Sequence, residues 1–215
     1  MLTPKTISIV DYGVGNLFSV SKSIEFYGMK ASIVDRPEDI LSASYLILPG
    51  VGAFSNGMRS LQERNLIEAI LEYAQAGGRL LGICLGMQIL FSKSMEFGEH
   101  RGLNLISGSV VSIPEQNERG VRNKIPHIAW SPIRRAEYYS QENILLKEVQ
   151  DNTYMYHVHS YMANPDDIQT VVAHTIYNEC LIPTIVRKNN IYGCQFHPEK
   201  SGNAGLKILK NFCNL

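Results

Sequence analysis

The residues best suited to chemistry lie in two short segments, one with a cysteine and one with a histidine beside a glutamate. Segment 82–86 has the sequence Gly-Ile-Cys-Leu-Gly, between a strand-like and a helix-like run. Flanking glycines permit a tight turn that lifts the Cys84 thiol above the sheet edge. A helix beginning near Leu85 favours the thiolate and offers an N–H group to an oxyanion. The pattern predicts a nucleophile, although a buried cysteine at an ordinary strand-to-helix connection has similar neighbours.

A cysteine nucleophile needs a base, and the base must be held in the correct tautomer. Segment 194–200 has the sequence Cys-Gln-Phe-His-Pro-Glu-Lys. In extended backbone, residues i and i+2 point to the same side, and Pro198 disfavours helix at His197. We therefore expect an ionised Glu199 to orient the imidazole of His197. Taken alone, the segment is more typical of a strand-end turn with a solvated histidine and glutamate.

Two further segments contain residues of types that take part in catalysis or metal binding. Segment 48–54, Leu-Pro-Gly-Val-Gly-Ala-Phe, follows a strand and either supplies a second oxyanion donor or forms a simple turn. It lacks the spacing and lysine of a phosphate-binding loop. His157 and His159 share the i, i+2 spacing that suits metal ligands, but no third ligand is evident in the sequence. We expect a packed pair and no metal.

Composition excludes several function classes. The 215 residues include 45% hydrophobic residues, and 20 Lys plus Arg balance 20 Asp plus Glu. This predicts one domain over 1–215 and argues against broad nucleic-acid or anionic-membrane binding. The N-terminus lacks the pattern of a secretory signal, so we expect a cytoplasmic protein. Four cysteines without a C-x-x-C pair disfavour structural zinc and predict free thiols.

The elements that must position these residues change character along the chain. The first half alternates apolar strands at 7–10, 31–34, 45–48 and 79–83 with helices at 17–27, 58–76 and 85–91. Such strands are typical of a parallel sheet covered by helices. The second half predicts strands at 110–113, 133–135, 154–159, 171–176, 182–186 and 191–196, and helices at 141–149 and 204–212. Residues 115–124 are polar and predict an exposed loop. The fold class is therefore α/β, with an open, mixed, largely parallel central sheet and an additional antiparallel portion.

Taken together, the motifs resemble the triad-type (class I) glutamine amidotransferases. Within that class they are similar to the glutaminase subunits of imidazole glycerol phosphate synthases, which serve histidine biosynthesis. The resemblance covers nearly the whole chain and rests on the order of the matching segments, which are 11–17, 48–54, 82–88, 98–103, 125–130, 159–161 and 197–201.

The resemblance implies hydrolysis of glutamine to glutamate and ammonia through a thioester on Cys84. His197 takes the thiol proton, and Glu199 orients His197. No cofactor or metal is implied. The family positions for the oxyanion site are Val51, Gly52 and Leu85. Those for the glutamine pocket are Gly52, Gln88, Glu96, Ser160 and Tyr161, with Glu96 suited to the substrate's α-ammonium group.

The resemblance also implies a partner, a (β/α)₈-barrel synthase subunit that forms a heterodimer with the glutaminase. Ammonia passes through the barrel, and the products are imidazole glycerol phosphate and an aminoimidazole carboxamide ribonucleotide. The residues expected to face the partner are Tyr12, Asn16, His127, Trp130, Tyr156 and Lys200. Each of them also suits an ordinary structural or solvated role.

One segment departs from the family pattern. The family usually has Gly-Trp-Asn where this chain has Ala129-Trp130-Ser131. If this stretch contacts the partner, the acceptor of ammonia differs, for example a synthase that modifies a surface sugar. Two other classes remain as alternatives, a non-catalytic binding subunit and a cysteine peptidase of related fold.

Overall fold

The computed structural model describes residues 5–139 and 144–215. The N-terminal part contains β1 (Thr6–Val10), α1 (Leu17–Glu25), β2 (Lys30–Val34), α2 (Pro37–Leu41), β3 (Tyr45–Leu48), α3 (Phe54–Glu63), α4 (Ile67–Gln75), β4 (Arg79–Ile83) and α5 (Leu85–Ile89). The remainder contains β5 (Phe91–Ser94), β6 (His100–Arg101), β7 (Ile106–Ser112), β8 (His127–Arg135), β9 (Thr153–His159), β10 (Tyr161–Pro165), β11 (Val171–Tyr177), β12 (Cys180–Lys188), β13 (Ile191–Cys194) and α6 (Gly202–Cys213).

The larger sheet has nine strands in the order β2-β1-β3-β4-β13-β12-β11-β8-β9. The pairs from β2 to β13 are parallel, and the pairs from β13 to β9 are antiparallel. A second sheet of four strands has the order β10-β7-β5-β6. This confirms the α/β class with a parallel region and an antiparallel addition.

The parallel strands are buried on both faces, as their continuous apolar sequences predict. Alternate residues of β1 and β3 belong to two separate core clusters: Ile7 and Ile47 lie in one, and Val10 and Leu48 lie in the other. Because neighbouring parallel strands run in the same direction, the carboxyl ends of β1, β3, β4 and β13 meet at one sheet edge. Ligand sites of open α/β sheets form outside such an edge.

The prediction of one helix over residues 58–76 was wrong. Two helices, α3 and α4, occupy this region because Asn65 adopts a left-handed conformation with φ of 56°. The N–H of Leu66 donates to the carbonyl of Leu61, and the N–H of Asn65 donates to that of Gln62. This pair of hydrogen bonds is the Schellman arrangement that ends a helix. The sequence signal was the asparagine, which tolerates positive φ.

Other element boundaries also differ from the predictions. The helix expected over 85–91 ends at Ile89, and β5 begins two residues later. Strand β8 begins at His127 rather than at 133, and α2, β6 and β10 were not predicted. Of the helix expected over 141–149, residues 141–143 lie outside the described residues, and the rest contains only the 3₁₀ turn Ile144–Leu146. Residues 115–124 form a largely exposed loop, as predicted.

All four cysteines are free thiols, as predicted. No helix within residues 5–139 or 144–215 has the length and hydropathy needed to cross a membrane.

Candidate active site

The turn between β4 and α5 holds Cys84 in a strained conformation, with φ of 55° and ψ of −110°. The two flanking glycines permit this turn for a steric reason. A Cβ on Gly82 would lie 2.6 Å from the carbonyl oxygen of Gly86, and a Cβ on Gly86 would lie 1.8 Å from that of Leu48. The N–H of Cys84 donates to the carbonyl of Cys194 at 2.7 Å, which ties the turn to β13. The strain is typical of a nucleophile elbow.

Cys84 opens onto a cavity of about 230 Å³. Its lining includes most of the residues that the sequence assigned to the nucleophile, the base, the oxyanion loop and the glutamine pocket: Val51, Gly52, Cys84, Gln88, Glu96, Ser160, Tyr161 and His197. Leu85 follows Cys84 as the first residue of α5, where a backbone N–H has no partner inside the helix. The structure thus gathers residues from the whole chain around one thiol.

His197 and Glu199 form a buried pair beside this cavity. The Nδ1 of His197 lies 2.9 Å from Oε1 of Glu199, and the two side chains are 5% and 1% exposed. Burial alone disfavours the imidazolium. Hydrogen bonding and charge from Cys84 and Glu199 outweigh it and raise the pKa of His197 to about 10. Both partners of His197 therefore favour its protonated form.

Strand β9 and the start of α6 fix the turn that bears His197. The N–H of His197 donates to the carbonyl of Tyr156 at 3.0 Å. The hydroxyl of Ser201 donates to the carbonyl of His197 at 2.6 Å and accepts from the N–H of Tyr156 at 2.9 Å. Pro198 begins a single 3₁₀ turn that places Glu199 behind the imidazole.

The residues predicted for glutamine binding make specific polar contacts. One carboxylate oxygen of Glu96 accepts a hydrogen bond from the N–H of Phe54, at the N-terminus of α3. The Nε2 of Gln88 donates to the carbonyl of Tyr161 and to Oε1 of Gln195, each at 3.1 Å. Because these bonds fix both side chains, the negative charge of Glu96 has a defined place in the cavity wall.

The glycine loop after β3 packs against the elbow. The hydroxyl of Tyr12 donates to the carbonyl of Pro49 at 2.6 Å. A Cβ on Gly50 would lie 2.5 Å from that hydroxyl and 2.9 Å from the N–H nitrogen of Gly86, so only glycine fits. Gly52 has φ of 100°, and Val51 is exposed at the cavity wall. The loop therefore lies directly beside the thiol.

The residues predicted to face a partner separate into two groups. Tyr12 and His127 are fully buried, so the expectation that these side chains face a partner is corrected. Tyr12 braces the glycine loop, and His127 lies within a histidine cluster. Asn16 caps α1 by accepting from the N–H of Ser19. Lys200 is exposed, and the half-exposed ring of Trp130 lies 5.9 Å from the ring of Tyr156.

The altered residues Ala129 and Ser131 do not lie on the same face as Trp130. Strand β8 alternates, so Trp130 points outward while Ser131 is 7% exposed and touches His127. The departure from the family pattern therefore falls on the inward face. It changes no side chain on the outward face of β8.

Two contacts to Cys84 were missed from the sequence. Its Sγ lies 3.8 Å from the carbonyl oxygen of Val158 and 3.9 Å from Nε2 of Gln195. Gln195 belongs to the same segment as His197, which was a usable signal. A backbone carbonyl such as that of Val158 carries no sequence signal.

Three buried histidines lie together at the cavity wall, and His159 is part of its lining. The sequence showed no third ligand for His157 and His159, whereas the structure brings His127 to them. Burial lowers the pKa of His127 to about 4 and that of His159 to about 3, and it lowers the pKa of His157 as well. All three are therefore neutral near pH 7.

A strained cysteine on a nucleophile elbow, with a histidine and a carboxylate behind it on an α/β sheet, defines a class of enzyme. The model of the family "Glutamine amidotransferase class-I" matches residues 8–215. The chain belongs to the class-I glutamine amidotransferase family and is an enzyme of that class.

Individual proteins within and beyond this family are similar to the chain over nearly its full length. The chain is 46% identical over 211 residues to imidazole glycerol phosphate synthase subunit HisH 1 of Legionella pneumophila (strain Paris), with 98% of this chain and 99% of the relative covered. It is 48% identical over 209 residues to subunit HisH of Lactococcus lactis subsp. lactis (strain IL1403), with 97% and 98% covered. The structure of PurLQS from Thermotoga maritima shares the fold, with a TM-score of 0.73, 18% identity and 99% of each chain covered.

Proposed function

We propose that this chain hydrolyses glutamine to glutamate and ammonia and supplies the ammonia to a synthase subunit in histidine biosynthesis. One observation carries the proposal: the strained Cys84 shares a cavity with His197, whose Nδ1 lies 2.9 Å from Glu199. The HisH names of relatives 46% and 48% identical over nearly the full length support the pathway. The whole chain acts as one amidotransferase domain.

The first half of the reaction forms a thioester. His197 holds the proton from the Cys84 thiol, and the thiolate attacks the carbonyl carbon of the glutamine side chain. The N–H groups of Leu85 and of the Val51–Gly52 segment stabilise the oxyanion. The imidazolium then gives its proton to the amide nitrogen, the C–N bond breaks and ammonia leaves. Glu199 stabilises the imidazolium and keeps the hydrogen of neutral His197 on Nδ1.

The second half releases glutamate. Neutral His197 accepts a proton from water as the water oxygen attacks the γ-glutamyl thioester carbonyl. A second oxyanion forms at the same N–H groups and collapses with cleavage of the C–S bond. Cys84 leaves as the thiolate while His197 carries the proton taken from water, so no external proton is consumed. The raised pKa of His197 favours this charged pair.

The substrate's amino-acid end binds at Glu96. Glu96 accepts the α-ammonium group, because it contributes a carboxylate to the wall and lies beside Tyr161. The Gln88 amide, the Ser160 region and Gly52 complete the pocket. Bonding of Glu96 to the N–H of Phe54 holds its carboxylate in place before substrate arrives.

The partner binds the outward face of the β8–β9 pair. This face carries Ile128, Trp130 and Tyr154, which are 59%, 51% and 58% exposed, together with Tyr156. Val158, on the same face of β9, lines the cavity beside Cys84. A (β/α)₈-barrel subunit docked here receives ammonia close to where it forms. Lys200 lies at the turn after His197 and suits the rim of such an interface.

The main reason for considering an alternative partner, a synthase that modifies a surface sugar, no longer applies. That alternative rested on Ala129 and Ser131, and both lie on the inward face of β8, away from the proposed interface. A complete Cys84, His197 and Glu199 set likewise disfavours a non-catalytic subunit.

Glutamate formation by three proteins tests this proposal, each assayed with and without the synthase subunit of the same organism. Wild type and Cys180→Ala hydrolyse glutamine, whereas Cys84→Ala loses at least about 10³-fold in rate. A glutamine-mimicking electrophile labels wild type and Cys180→Ala but not Cys84→Ala, which separates a glutaminase from a peptidase. Retained activity in Cys84→Ala would refute the triad. Activity unaffected by any candidate synthase would refute the partner and leave the glutaminase standing.

A further inference from the structure

The inward face of the β8–β9 pair carries three histidines in adjacent positions. His127 and His159 are directly opposite in the antiparallel register, and His157 is two residues before His159 on the same side of its strand. His127 and His157 are 0% exposed, and His159 is 6% exposed. Both strands therefore direct imidazoles into one small buried volume.

The nitrogen atoms are spaced as ligands of one ion. The Nε2 of His159 lies 3.3 Å from Nδ1 of His127 and 3.3 Å from Nδ1 of His157. One ligand nitrogen from each of the three histidines lies within 4.8 Å of the others. Zn–N bonds of about 2.0–2.1 Å at the tetrahedral angle place nitrogen ligands about 3.3 Å apart.

A hydrogen bond outside the cluster sets the tautomer of His159 that a metal requires. The Nδ1 of His159 lies 2.9 Å from the carbonyl oxygen of Tyr161, which only accepts, so Nδ1 carries the hydrogen and Nε2 keeps its lone pair. The Nε2 of His127 lies 2.9 Å from the hydroxyl of Ser131. Histidines that bind metals characteristically donate their second N–H to such an oxygen.

Without an ion, the cluster is poorly satisfied. Only one hydrogen can occupy the Nε2 lone pair of His159, although two Nδ1 atoms approach it at equal distance. A cation held by His127 Nδ1, His157 Nδ1 and His159 Nε2 satisfies all three inward-facing nitrogens together.

We propose that His127, His157 and His159 bind one divalent cation of the zinc type, with water as the fourth ligand. Neutral imidazoles suit Zn²⁺ and its neighbours in the transition series rather than Mg²⁺ or Ca²⁺, which take oxygen ligands. The ion joins β8 to β9. His159 contributes to the cavity wall and directly precedes Ser160 and Tyr161, so the ion braces that wall. This inference does not depend on the proposed glutaminase reaction.

The test is metal titration of the full chain carrying Cys84→Ser, since the thiol itself can bind soft metals. Added Co²⁺ gives one equivalent of bound ion with the strong visible absorption of a tetrahedral site, and Zn²⁺ displaces it. His157→Phe in the same background lowers affinity at least about 100-fold, whereas His100→Gln, a histidine outside the cluster, leaves it unchanged. Ser131→Ala keeps all three ligands and lowers affinity about 10-fold, as expected for loss of an outer hydrogen bond.

Thermal unfolding supplies a second readout. Zn²⁺ raises the unfolding temperature of the parent and of His100→Gln, but not that of His157→Phe. If His157→Phe fails to fold, Ser131→Ala and His157→Gln carry the same comparison. The proposal is overturned if the parent binds no Co²⁺ at one equivalent. It is equally overturned if the folded cluster variants bind Co²⁺ as tightly as the parent.

Discussion

The two halves of the nine-stranded sheet contribute to the site in different ways. At the parallel end, the position of Cys84 follows from backbone sterics within five residues, where Gly82 and Gly86 leave no room for a Cβ. At the antiparallel end, β8 and β9 combine residues about thirty positions apart, with histidines on one face and aromatic side chains on the other. The nucleophile thus depends on local geometry, whereas the β8–β9 region depends on strand pairing.

Chemistry and partner binding lie in regions of different construction. Strained, local geometry suits chemistry, because a nucleophile must be held within a fraction of an ångström. A paired strand with two distinct faces suits binding, because each face presents a separate set of side chains. The two regions meet at Tyr156, whose carbonyl accepts from the N–H of His197 and whose ring lies on the outward face. Movement of β9 therefore reaches the base directly.

Glu199→Gln gives the largest effect among the changes that probe this comparison. It removes the charge that stabilises the His197 imidazolium, so glutaminase kcat/KM falls about 10²–10⁴-fold. The pKa of His197 also falls from about 10 towards its ordinary value of 6.5. Because the folded-state pKa is raised, the stability contributed by His197 is full below pH 6.5 and is lost as pH rises to about 10.

Urea unfolding at several pH values measures this effect alongside the assay. The free energy of unfolding of wild type declines through this window, and that of Glu199→Gln declines less. Glu68→Gln, an exposed carboxylate on α4, serves as the matched control and behaves as wild type. Wild-type activity in Glu199→Gln would show that His197 needs no carboxylate. The reactivity of Cys84 would then not depend on the His197–Glu199 pair.

Gly86→Ala tests, through its effect on stability, whether local sterics fix the turn that bears Cys84. The new Cβ falls 1.8 Å from the carbonyl oxygen of Leu48, and that backbone lies in the sheet and cannot yield cheaply. We expect a loss of about 3 kcal/mol in the free energy of unfolding. Gly120→Ala is the control: it lies in an exposed loop with φ of 76° and nothing within 4 Å, so its loss is about 1–2 kcal/mol from backbone strain alone. Equal losses in urea titrations would mean that the elbow is not sterically fixed.

The same contrast explains what the sequence could predict. The bounds of β3 and β4 and the elbow itself were predicted as observed, because short apolar runs and paired glycines act locally. The proximity of His197 and Glu199 was also predicted, but from extended backbone, whereas a 3₁₀ turn that begins at Pro198 brings the two side chains together. Prediction was poorer where the conformation of one residue decides a helix boundary. The left-handed conformation of Asn65, for example, divides a long helical pattern into two helices.

The sequence could not predict which face of a sheet a side chain lies on where strand pairing determines that face. His127 was expected at a partner interface, yet its register opposite His159 turns it inward to a cluster that no spacing in the chain reveals. Tyr12 was expected outside, but its hydroxyl reaches the Pro49 carbonyl, 37 residues further along the chain. Such contacts depend on tertiary proximity, and the sequence carries only the residue types.

Trp130→Ala tests whether the outward face of β8 and β9 binds the partner, and its expected effect is the smallest of the three. Loss of the indole removes an exposed aromatic anchor, so affinity for the synthase subunit falls by about 2 kcal/mol, or about 30-fold. The control is Ile33→Ala, because Ile33 is 48% exposed on β2 at the opposite edge of the same sheet, whereas Trp130 is 51% exposed. Calorimetric titration of the partner measures both. Glutaminase activity of the isolated variants stays at the wild-type level, since neither side chain lines the cavity. Unchanged affinity in Trp130→Ala, or equal losses in both variants, would remove the partner from the β8–β9 face, and the separation of chemistry from assembly would then fail.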